Sequence, residues 1–192
     1  MAKHIFTGFG FGPIQSGLFA SEAYAGGRFD RIVIAEVDQR LVSAVSANNG
    51  RYAVNIANND GIEIRHIEGI EIYNPNVAAD REKLLDALRQ STEICTSLPS
   101  VNYYAMGQYS VASLIAQGLQ SNTAPATIVY TAENNNHAAE ILEEKVTAES
   151  NSSFGRPVQF LNTVIGKMSQ VITDPRVIAA KGIEPILSLI HI

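Results

Sequence analysis

The chain has 192 residues, 46% of them hydrophobic, which suits a folded α/β protein and excludes a disordered one. A net charge of −5, with 14 scattered Lys and Arg residues, argues against nucleic acid as a partner, because phosphate binding needs clustered cations. The single cysteine, Cys95, excludes an intrachain disulfide and a multi-cysteine zinc site. No stretch is long and apolar enough for a membrane span, and the N-terminus lacks a signal core, so a cytoplasmic protein is expected.

His4 to Phe9 reads as a short apolar strand that runs into glycines. Ile14, Leu18, Phe19 and Ala23 then recur at helical spacing up to Gly26-Gly27. Arg31 to Glu36 is a second buried strand, and Asp38 caps a helix through Leu41, Val42 and Val45. Tyr52 to Ala57, Ile62 to Ile67 and Ile70 to Tyr73 alternate apolar and polar residues around turns, which predicts an inserted antiparallel meander. Helices over Asp80–Ser91, Val111–Leu119 and His137–Ala148 then alternate with strands over Glu93–Leu98 and Thr127–Ala132. That order predicts a Rossmann-like, doubly wound parallel sheet. Ser150 to Pro157 reads as a linker and Val158 to Met168 as a strand beginning something new, which divides the chain into residues 1–155 and 156–192.

The glycine cluster is the candidate site. A dinucleotide fold uses one glycine for a tight turn, a second for close approach of the diphosphate and a third for helix–strand packing. Gly10 and Gly12 fill the first two roles, and the third position falls on Gln15; starting instead at Gly8 puts Pro13 there. Gly10, Phe11, Gly12, Pro13 and Ile14 are therefore the candidate diphosphate loop, Pro13 being compatible with a first helical turn. Glu36 ends the second strand where an acid would hold the adenosine ribose, which favours NAD over NADP, while Arg40 nearby leaves NADP open. A different nucleoside cofactor, such as S-adenosylmethionine, fits the same pattern.

Phe9 to Gly17 resembles the phosphate loop of the mannitol-1-phosphate 5-dehydrogenase family of polyol dehydrogenases, Phe-Gly-Ala-Gly-Asn-Ile-Gly-Arg-Gly. Ala35-Glu36-Val37-Asp38-Gln39 is similar to that family's Ala-Asp-Val-Asn-Gln, Glu93 to Ser97 to its Asp-Leu-Val-Thr-Thr, and Ala132-Glu133-Asn134 to its Cys-Glu-Asn. The resemblance runs from about residue 4 to about residue 170. It implies NAD as cofactor, a sugar-alcohol phosphate as substrate, and Thr96, Ser97 and Asn134 near the nicotinamide half.

Gln15 and Ser16 replace a glycine and an arginine of the family loop, and the family's Lys-x-x-x-x-Asn-x-x-His pattern is absent after Lys145, Lys167 and Lys181. With an apolar tail, Leu187 to Ile192, that resembles the translated read-through of a sequencing adapter, a truncated gene product is expected, binding cofactor without turnover. The catalytic residues are unassigned. The alternative is a non-enzymatic, stand-alone nucleotide-binding module.

The remaining chemistry reads plainly. His137 and Glu140 form a solvated helix face rather than a metal site, and Cys95 is a buried small hydrophobe. His66 reads as a surface residue, and Tyr103, Tyr104 and Tyr109 either line a ligand crevice at the sheet's carboxyl edge or pack a loop, with packing the favoured reading.

Overall fold

The computed structural model describes residues 4–150, 153–166, 172 and 174–185. Six parallel strands, β1 (Ile5–Phe9), β2 (Arg31–Ala35), β5 (Glu71–Tyr73), β6 (Glu93–Thr96), β7 (Thr127–Thr131) and β8 (Val158–Asn162), form one sheet in the order β5-β2-β1-β6-β7-β8. The order reverses between β1 and β6, so both strands leave the sheet with their following loops pointing apart, which opens a crevice at their carboxyl ends.

Both faces of the sheet are covered, as a parallel sheet requires. Alternate residues of the inner strands divide between two cores. Ile5, Phe9, Val33 and Ile94 pack beneath α3 (Ala78–Gln90), α4 (Val111–Leu119) and α5 (Ala138–Glu149). Phe6, Ile32, Ile34 and Cys95 pack with α1 (Ala20–Gly26), α2 (Gln39–Ala47) and the antiparallel pair β3 (Tyr52–Asn58) and β4 (Gly61–Ile67).

The expected meander is a two-stranded hairpin. Its third run, which the sequence placed beside β4, instead lies parallel to β2 as an edge strand of the main sheet, with Ile34 opposite Ile72. An edge strand with one covered face alternates just as a meander strand does. Packing decides between them: Ile70 and Ile72 are buried, and Gly50 turns at φ 72° where a side chain would overlap the Ile70 backbone.

Val158–Asn162, expected to begin something new, likewise continues the same sheet, parallel to β7 from Thr127↔Val158 to Thr131↔Asn162. Residues 163–166 of that expected strand carry no regular structure, and its last two, with the apolar tail, lie outside the described residues. The short α6 (Pro175–Lys181) follows, and Glu184 beyond it meets the hairpin: its backbone exchanges two hydrogen bonds with the Asn55 side chain, and its carboxylate lies 3.6 Å from His66.

The first helix departs from regularity at its start. It opens as a π-helical turn, Gln15–Phe19, in which the Ala20 N–H donates to the Gln15 carbonyl five residues back. The wider turn leaves the Ser16 carbonyl to the Tyr52 hydroxyl, which donates to it at 2.8 Å.

Candidate functional site

The carboxyl ends of β1, β2 and β6 enclose a cleft of about 740 Å³. Gly10, Phe11, Gly12, Pro13, Ile14, Glu36 and Ser97 all line it. Thr96 and Asn134 do not: Thr96 is fully buried beneath the floor, and Asn134 is exposed beyond β7.

Each loop residue has a distinct position. Gly10 turns the chain at φ 82°, and a Cβ there would stand 2.7 Å from the Ser97 carbonyl oxygen, so only glycine lets β1 approach the end of β6. Its N–H donates to the Ala35 carbonyl at 2.8 Å, extending the ladder to β2, and is not free for a ligand. At Gly12 a Cβ would meet nothing within 4 Å, which leaves the backbone open to an approaching group. Phe11 is anchored by its ring, buried and edge-on to Tyr52 with centroids 5.1 Å apart.

Gln15 does the opposite of a glycine at its position in the loop pattern. Its side chain is fully buried against β1 at Gly8, where a Cβ would overlap the carboxamide. Gly8 thus provides the close helix–strand contact that the pattern assigns to the helix. Neither Gln15 Oε1 nor Nε2 has a hydrogen-bond partner among the described residues, so the wedge leaves two polar atoms unsatisfied.

Glu36 ties the loop to the second strand. Its Oε2 accepts from the Phe11 N–H and its Oε1 from the Asp38 N–H, both at 2.8 Å. Asp38 in turn caps α2 through the Arg40 N–H at 2.9 Å. It also takes the Arg40 guanidinium on both oxygens, at 3.1 and 2.7 Å, which lowers its carboxyl to about 2. Glu36 is the one charged side chain lining the cleft among the described residues.

The far wall belongs to the segment after β6, and here the sequence reading missed its organiser. Glu133 is buried and accepts from the Thr96 hydroxyl and the Leu98 N–H, each at 2.9 Å, and from the Tyr104 hydroxyl in a short bond. Burial raises the Tyr104 phenol far above its ordinary value, so it stays a donor to that carboxylate. The resemblance at Ala132-Glu133-Asn134 was the available signal, but it drew notice to the exposed asparagine rather than the buried acid.

The three tyrosines also divide. Tyr104 packs as expected, whereas Tyr103 and Tyr109 line the cleft, and Arg81 stacks 3.6 Å over the Tyr109 ring. Val37, Tyr103 and Met106 give the mouth an apolar rim, 66%, 45% and 59% exposed. Cys95 is fully buried and burial raises its thiol well above the ordinary value, which leaves it inert as a nucleophile. His137 and Glu140 face solvent 3.8 Å apart.

No helix among the described residues is long and apolar enough to cross a membrane. No family model matches the chain, and no curated protein matches it. Among solved structures the chain is similar to a lactate dehydrogenase from a Medee basin deep-sea metagenome library, at 14% identity and a TM-score of 0.41. The similarity covers 76% of this chain and 43% of that enzyme, so the chain spans less than half of its length. The Rossmann-like fold assignment rests on the strand order and the two-sided packing described above.

Proposed function

We propose that the cleft binds NAD(H), and that the chain is the cofactor-binding part of a polyol-phosphate dehydrogenase. The observation that carries this reading is the meeting of the glycine loop and Glu36 at the sheet's switch point, where the backbone at Gly12 is open and a carboxylate closes the second strand. A cleft of about 740 Å³ falls within the range of small-molecule sites. The rim of Val37, Tyr103 and Met106 offers apolar faces to a flat purine.

In this reading Gly12 and Ile14 present backbone amides to the diphosphate, and Glu36 accepts from the ribose hydroxyls. The Glu36 carboxylate at the end of β2 supports NAD over NADP, since it repels a 2′-phosphate; the exposed Arg40, paired with Asp38, stands nearby. When bound, the nicotinamide supplies the hydride chemistry. A sugar-alcohol phosphate as substrate is supported by the order of the short motifs alone, and the cleft's single charged residue fits binding better than proton transfer.

Calorimetry tests the proposal. NADH binds the wild-type chain, NADPH binds at least about ten-fold more weakly, and Glu36→Ala loses about ten-fold or more in NADH affinity. Equal affinity of Glu36→Ala and wild type for NADH would falsify it.

A further inference from the structure

Three positions of the glycine loop offer no free amide. Gly10 donates to Ala35, Pro13 has no N–H, and Phe11 donates to the Glu36 carboxylate at 2.8 Å. The Phe11 peptide cannot easily turn away, since its ring is buried against Tyr52. Glu36 is the movable partner, a side chain at the cleft wall rather than in the core.

Resting on the cofactor reading above, we infer that Glu36 is a built-in anion that plugs the Phe11 amide until a ribose draws it away. Carboxylate and diphosphate compete for one donor, and they repel each other across it. A ligand that brings only phosphate meets an occupied amide and the negative charge that occupies it. A dinucleotide brings hydroxyl donors as well: these bond to Glu36, and the Phe11 N–H passes to the incoming diphosphate. The acid is then a specificity-determining residue in a second sense. Besides holding the ribose, it rejects phosphate-bearing ligands that have no neighbouring diol.

Two ligands and two variants test this, with inorganic pyrophosphate and NADH titrated calorimetrically. In Glu36→Gln, pyrophosphate affinity rises about five- to ten-fold while NADH affinity falls about ten-fold. A residue that merely supports the loop would weaken both. In Glu36→Asp, one methylene shorter, the carboxylate withdraws from Phe11 while its charge remains at the end of β2, so pyrophosphate affinity rises there as well.

Pyrophosphate affinity that is unchanged or lower in both variants overturns the inference, whatever NADH does. Failure of the wild type to bind NADH sinks the cofactor reading instead, and the pyrophosphate comparison still decides the plug. Should the variants not fold, the Phe11 amide resonance of the ¹⁵N-labelled wild type decides. It shifts on NADH binding and holds still when pyrophosphate is added, and a shift with pyrophosphate alone refutes the plug.

Discussion

At the carboxyl edge of the sheet Glu36 accepts hydrogen bonds from two backbone amides; at the amino edge Arg156 donates to four backbone carbonyls and one hydroxyl. Both are ionic groups held by peptide dipoles, with no opposite charge in contact among the described residues. Arg156 closes the last turns of α3 and α4, donating to Leu88, Ser91, Gly118 and Ser121, and to the Thr127 hydroxyl at the start of β7. All five of its N–H groups are used and the residue is 6% exposed. Burial lowers its guanidinium to about 10, still charged at neutral pH. Glu36 keeps lone pairs to spare and faces a cleft. Saturation at one edge fixes three elements, and incomplete saturation at the other leaves a group that can change partners.

The difference can be broken from the saturated side first. Arg156→Met orphans up to five acceptors and costs about 4 kcal/mol in urea unfolding, with Arg156→Lys recovering less than half because it lacks the planar fork. NADH affinity, measured well below the melting temperature, is unchanged by either. Gly8→Ala follows at about 2–3 kcal/mol, since the new methyl overlaps the buried Gln15 carboxamide. A second change, Gln15→Ala, recovers most of that loss, and a double-mutant cycle measures the coupling.

Gln15→Met goes the other way, raising stability by about 1 kcal/mol, because a near-isosteric apolar side chain removes two unsatisfied atoms. A fall in stability would show that the carboxamide has partners. The smallest effect is at the amino edge of β2 and β5. There Arg31 takes Glu71 on both oxygens, at 2.7 and 2.8 Å, and holds its carboxyl below the ordinary 4.5. A lowered carboxyl contributes stability above its unfolded value and loses it as pH falls through the folded one. Glu71→Gln therefore costs about 0.5–1 kcal/mol at pH 7, and the gap to wild type closes under acid in melting curves taken below pH 4.5.

Much of the fold was legible because parallel strands are short apolar runs bounded by glycine or charge, and β1, β2, β6 and β7 all carry that mark. The edge strand β5 was not, since alternation reports one covered face without saying which neighbour pairs. Val158–Asn162 was detached from the sheet because Ser, Asn, Gly and Pro before it look like a linker. Within that stretch Arg156 binds carbonyls of two distant helices, a relation no local pattern carries. Glu36 was found because it ends a strand at a set distance from the glycines. Glu133 escaped because its partners, Thr96, Leu98 and Tyr104, are brought to it only by the neighbouring strand.

The bond from Tyr52 to the Ser16 carbonyl bears on how the protein can be altered. The hairpin β3–β4 looks like a detachable ornament on the sheet. Its first residue nevertheless supplies the hydroxyl that the irregular turn requires and the ring on which Phe11 rests. Trimming the hairpin to a short loop would therefore loosen the glycine loop from below, and grafts should move residues 5–73 as one unit.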